Sequence, residues 1–208
     1  MKCLVPILLA AAIVCGCASG SGWQRRAFAF TSPGDPPSAS AQTNIVALTN
    51  MVALTRVSIS PLFQSRSFTY RTAENSYEQD PYAGFLIPPE RALAESIRAS
   101  MRSSGVFGRV VEPGTGLTPT SIVEVSVNEL YGDFRKSSKP VATMEIHFIC
   151  YEVTDGAPGR IVLDKICASE TPLAAKTPAA LMAAWDADLR RIMVEINSEY
   201  AKASSNNR

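Results

Sequence analysis

The chain of 208 residues has one histidine, no large excess of either charge and no Gly-rich phosphate loop carrying a lysine. Twenty Lys and Arg stand against 19 Asp and Glu, which excludes the basic surface of a nucleic-acid binder and the acidic bias of a disordered tail. Neither a G-x-S-x-G elbow nor an H-E-x-x-H pair occurs, so the common hydrolase and metalloprotease signatures are missing. Zinc needs four ligands, or three with an open position, and beyond position 17 the chain offers only His147, Cys150 and Cys167 as His or Cys ligands. His147 and Cys150 are three apart on one predicted strand and so face opposite ways. Asp186 and Asp188, two apart on a predicted helix, do not face each other and read as solvated surface. These absences predict a protein that is not an enzyme and holds no metal or dissociable cofactor. What is present is a composition 46% hydrophobic, enough for a core in one domain.

The apolar run 3–14 follows Lys2 and is shorter than the about 20 residues a permanent span requires. It has the form of an export signal. Val14-Cys15-Gly16-Cys17 then matches a bacterial lipobox. Cleavage before Cys17 places small Gly16 against the peptidase, whereas cleavage before Cys15 would place bulky Val14 there, so Cys17 is the predicted lipidation site. An ordinary signal with an incidental cysteine is the bland alternative. Ala18 and Ser19, rather than Asp, follow the cysteine and predict the periplasmic leaflet of the outer membrane. Removing residues 1–16 takes away Lys2 and no acid, so the 20 bases become 19 against 19 acids. The expected organisation is a signal peptide at 1–16, a tether at 17–25, one domain at 26–203 and a frayed end at 204–208.

Within the domain, Arg26–Phe30 reads as a short strand, and Asn44–Thr55 as strand sequence leading into Val57–Ser60. Ser67–Arg71 is rich in β-branched and aromatic residues and reads as another strand. Pro88-Pro89 opens a helix with Leu93, Ile97 and Met101 on one stripe and Gly105 as its stop. Val106–Val111, Ile122–Phe134, Val141–Val153 and Ile161–Ala168 are predicted strands, with a turn at Asp155–Gly159. Along Ile122–Phe134, Val123, Val125 and Val127 mark a dry face and Glu124, Ser126 and Asn128 a wet one. Thr177 caps a last helix with Pro178 at its first position and Leu181, Trp185, Leu189, Ile192, Ile196 and Tyr200 on the packed side. The order predicts an α+β fold, a mainly antiparallel sheet with two helices packed on one face. The other face is left to solvent or a partner. Cys150 and Cys167 are free buried thiols or a disulfide; a symmetric hairpin places Cys150 opposite a residue near 164, which leaves the bridge open as an alternative.

Pro61–Thr72, Tyr77–Tyr82 and Phe85–Pro89 together resemble the ABC-type transport auxiliary lipoprotein family, which includes the PqiC-type subunits. The shared layout is a lipobox, an early aromatic strand, a Tyr-Arg strand, a Tyr- and acid-rich segment ending in paired prolines, a helix, and a sheet closed by a C-terminal helix. Phe28-Ala29-Phe30-Thr31-Ser32-Pro33 approximates the family's early Tyr-Tyr-x-Leu-x-Pro signature. The resemblance implies a non-enzymatic outer-membrane subunit of a lipid-transport system that docks or braces an MCE-domain protein, and a homo-oligomer such as a ring is compatible with it. Tyr70, Arg71, Tyr77, Asp80, Tyr82 and Phe85 are the candidate partner interface, because Tyr and Arg combine contact area with directed hydrogen bonds. Their competing role is internal, packing this segment onto the sheet. A stand-alone envelope scaffold, such as an activator of a peptidoglycan synthase, is the alternative function.

Overall fold

Alternation of Val123, Val125 and Val127 in one strand, and of Met144, Ile146, Phe148 and Cys150 in the next, builds the frame of the molecule. In the computed structural model, which describes residues 25–31, 50–112, 114–136 and 138–205, these are β6 (Ser121–Asp133) and β7 (Val141–Thr154). They pair antiparallel along their whole length, from Ser121 opposite Glu152 to Asp133 opposite Val141. β8 (Ala157–Pro172) continues the ladder antiparallel to β7. Thr154 pairs with Ala157 across a two-residue turn in which Asp155 and Gly156 have φ of 53° and 76°. Asp-Gly suits that turn because both central residues need positive φ.

The other edge of β6 is shared. Its first half pairs parallel with β2 (Met51–Ile59), and its end pairs parallel with β3 (Ser67–Ala73) through Tyr70 opposite Gly132 and Arg71 opposite Asp133. A single 3-10 turn, Pro61–Phe63, joins the two. The sheet is therefore forked. β2 carries β5 (Arg109–Val111), parallel; β3 carries β4 (Ser76–Phe85), antiparallel; β4 carries β1 (Arg26–Phe28), parallel. The two longest ladders, β6–β7 and β7–β8, are antiparallel, and the shorter ones are parallel except for β3–β4.

At the fork, the register of β6 shifts between Val127 and Glu129. One extra residue there reverses the inward set. Val127 and Leu130 are both core residues, and Tyr131 passes to the face opposite the helices.

α1 (Pro89–Ser104) starts at Pro89, ends where Gly105 turns left-handed, and buries Leu93, Ile97 and Met101. α2 (Pro178–Ser205) is capped by Thr177, whose Oγ1 accepts the Ala180 N–H at 3.2 Å. Among the described residues both helices lie on one face, α1 over β2 and β5 and α2 over β7 and β8. Trp185 of α2 is fully buried, stacked on Phe85 at 5.6 Å and edge-on to Phe68 at 5.1 Å, and its indole N–H donates to the Thr143 carbonyl at 3.3 Å. One side chain thus joins β3, β4 and β7 to α2. The first segment is fastened to the same place: Phe30 stacks on Phe85 at 5.8 Å, and Thr31 donates to Asp186 through its N–H at 2.9 Å and its hydroxyl at 2.8 Å.

Three expectations change. Ser76–Phe85, expected only as a Tyr- and acid-rich segment, is a strand of ten residues. Asp188, expected at a solvated surface, is 0% exposed. The Cys150 and Cys167 thiols are both free and buried; Cys150 stands opposite Leu163 and Cys167 opposite Ile146. Four positions along a strand is about 13 Å, well beyond the reach of a disulfide. Burial pushes the Cys150 thiol up to about 12 and the Cys167 thiol up to about 11, so neither is a ready nucleophile. The leader, the lipobox with Cys17 and most of the tether lie outside the described residues.

Candidate partner-binding surface

Successive residues of a strand face opposite ways, and Tyr70 and Arg71 on β3 do different work for that reason. Tyr70 is half-buried; its hydroxyl donates to Asp80 Oδ2 at 2.7 Å and its ring meets Phe134 edge-on at 5.0 Å. Burial first, and then the Asp80 carboxylate, push its phenol far above the ordinary tyrosine range, so it stays neutral and donating. Asp80 Oδ1 accepts the N–H groups of Tyr82 and Ala83 at 2.8 and 2.9 Å. This local carboxylate-to-backbone clasp closes the irregular stretch of β4, where the register shifts between its pairings with Ser67 and Thr69. Pro81, which has no N–H to give a ladder, sits within that stretch. Tyr70 and Asp80 therefore form an internal clasp. Tyr70→Phe should lower stability by about 1.5–3 kcal/mol, the range for a hydrogen bond to a charged acceptor, and urea unfolding measures it.

Arg71 faces away from the helices. It stands opposite Tyr77 in the ladder, with its guanidinium carbon 5.7 Å from the Tyr77 ring centre and 6.0 Å from that of Tyr131. Phe63 stacks on Tyr131 at 5.6 Å, and Tyr77 meets Tyr131 edge-on at 5.8 Å. Arg71 donates to the Glu74 carbonyl at 2.7 Å, while its buried Nε has no hydrogen-bond partner among the described residues. Arg135 extends the group, pairing with Asp133 at 2.6 Å and Glu74 at 3.0 Å. The result is a platform of three rings and two guanidinium groups on the helix-free face of the sheet, in which Phe63 and Tyr131 are buried and back the more accessible Arg71 and Tyr77. Tyr77 is 38% exposed at its rim.

Of the six candidate interface residues, Arg71 and Tyr77 are brought together on this platform. Tyr82 is 49% exposed but lies at another corner, beside the pairing of Ala83 with Arg26. Phe85 is corrected: at 3% exposure, stacked on Trp185 and edge-on to Phe68, it belongs to the core. Phe63, Glu74, Tyr131 and Arg135 were not singled out from the sequence. Tyr131 owes its place on this face to the extra residue in β6 between Val127 and Glu129. On the same face, His147 Nε2 lies 2.6 Å from Asp164 Oδ1, while Cys150 points into the core.

No family model matches the sequence, and no curated protein matches it. Solved structures do. A Xanthomonas campestris protein of the DUF330 family, XCC0632, superposes with a TM-score of 0.67 at 18% identity, over 88% of this chain and 98% of that one. An uncharacterized protein superposes with a TM-score of 0.58 at 10% identity, over 86% of this chain and 97% of that one. The chain has the fold of these proteins over nearly their full length.

Proposed function

We propose that the protein is a lipid-anchored, non-enzymatic subunit of an ABC/MCE-type intermembrane lipid transport system, which docks or braces the transporter from the periplasmic leaflet of the outer membrane. The observation that carries this reading is Arg71 beside the exposed Tyr77, backed by the buried Tyr131, on a sheet face that no helix covers among the described residues. Arg and Tyr held in this way suit a protein interface, since their contact area comes already ordered. The DUF330 fold fits the PqiC-like layout, and Cys17 in its lipobox supplies the anchor. Several acyl chains on one residue, each methylene contributing about 0.8 kcal/mol, give durable attachment.

Radiolabelled palmitate is expected to enter the wild-type chain and not Cys17→Ala. The acylated chain, extracted in mild detergent, is expected to retain an MCE-domain protein, and Arg71→Glu is expected to lose it. Recovery of a peptidoglycan synthase instead would favour the scaffold role, and label in the Cys17→Ala chain would refute the anchor.

A further inference from the structure

Resting on the reading of Cys17 as the lipidated residue, we infer that the corner formed by β1, the end of β4 and the start of β3 lies on the membrane surface, with Leu86 and Tyr82 at the headgroup boundary and Arg25 and Arg26 toward anionic headgroups. The tether argues for it first. Eight residue steps separate Cys17 from Arg25, a reach of at most about 29 Å when fully extended, whereas a domain of this size is about 40 Å across. The anchor therefore holds the point of entry within about 29 Å of the bilayer, on the near side of the domain.

That point is fixed within the fold. β1 pairs parallel with β4, Arg26 opposite Ala83 and Phe28 opposite Phe85, and the Leu86 N–H donates to the Phe28 carbonyl at 2.7 Å. Arg25 reaches across Gly84 to donate to Ser67 Oγ at 2.8 Å. Gly84 permits this layering: a Cβ there would overlap the Arg66 carbonyl oxygen. Arg66 donates through Nε to the Phe85 carbonyl at 3.1 Å and through Nη2 to that of Leu86. A lipid-anchored chain thus enters the fold beside an exposed leucine, 56%, and an exposed tyrosine, 49%.

Bases outnumber acids at the corner. Segments 25–31, 64–68 and 79–89 contain Arg25, Arg26 and Arg66 and one acid, Asp80, with Glu78 and Glu90 just beyond the ends of the last segment. Asp80 is taken by Tyr70 and two backbone amides, and Asp186, which abuts the corner from α2, is taken by Thr31. Apolar and aromatic side chains ringed by arginine are the composition of a surface that rests in the headgroup layer.

The test uses the full acylated chain in vesicles of phosphatidylethanolamine and phosphatidylglycerol. An environment-sensitive dye is attached at Leu86→Cys or, on the helix-free face of the sheet, at Ile166→Cys; the buried Cys150 and Cys167 do not compete for it. Dye at 86 should shift to the blue and lose most of its emission to a lipid-borne quencher, and dye at 166 should do neither. Vesicle-bound protein in which both dyes stay unquenched, or both quench equally, overturns the membrane-facing corner while leaving the anchor intact. Failure to incorporate palmitate overturns the anchor and this inference together.

Discussion

Trp185→Ala should cost about 4 kcal/mol and lower the melting temperature by about 10 °C, the largest loss expected from any single side chain here. The indole is fully buried, touches rings from two strands and donates to a third strand. Truncation leaves a cavity at the join between the forked sheet and α2, and frees the Thr143 carbonyl of its partner. Phe85 and Phe68 lose their shared neighbour, so the β1–β4–β3 arm should loosen before the β6–β7–β8 ladder. Urea unfolding measures the loss, and amide exchange on β4 measured against β7 localises it. A cost below about 1 kcal/mol would contradict this packing.

Asp188→Ala should cost about 1–3 kcal/mol, because it leaves two part-buried hydroxyl donors without their acceptor. Asp188 Oδ1 accepts from Ser169 Oγ at 2.7 Å, Thr171 Oγ1 at 2.6 Å and Arg191 Nη2 at 2.9 Å, while Oδ2 is buried without a partner. Burial raises its pKa from 3.8 against the pull of the two hydroxyls and Arg191, and Glu170 adds to the rise. A carboxyl whose folded pKa is raised stabilises most when protonated. Its contribution is complete below pH 3.8 and is lost as pH rises through the folded value. Asp188→Asn removes that titration. The wild-type chain should therefore lose stability relative to Asp188→Asn as pH rises from 3 toward neutrality, and guanidinium titrations across about pH 3–7 should resolve the slope. A difference independent of pH would show that the carboxyl titrates alike in the folded and unfolded chain, and would contradict its raised pKa.

The parts of the fold legible in the sequence are those with an unbroken period. α1 and α2 have single apolar stripes, a proline at the start and, for α1, a glycine at the stop; β6 and β7 alternate cleanly around Val123–Val127 and Met144–Cys150. β4 was not legible as a strand, because its residues from Ser76 to Tyr82 are exposed or half-buried and Pro81 interrupts it. Its partner strand and the Asp80 clasp, rather than an apolar face, hold it in the sheet. The binding surface was legible in part for a related reason. Arg71 and Tyr77 stood out by type, but their companion Tyr131 depends on one extra residue in β6, which parity counting cannot foresee. Phe85 looked like an interface aromatic until its neighbour Trp185, a hundred residues further along the chain, was seen beside it.

The central claim is that the Arg71–Tyr77 platform docks a transporter protein, and photo-crosslinking in living cells tests it most directly. A photoreactive residue replaces Tyr77 on the platform or, as a control, Val194, which is 68% exposed on α2. Position 77 is expected to form a covalent adduct with an MCE-domain protein, identified by mass spectrometry, and position 194 none. No adduct from 77, or the same adduct from both positions, would contradict the account.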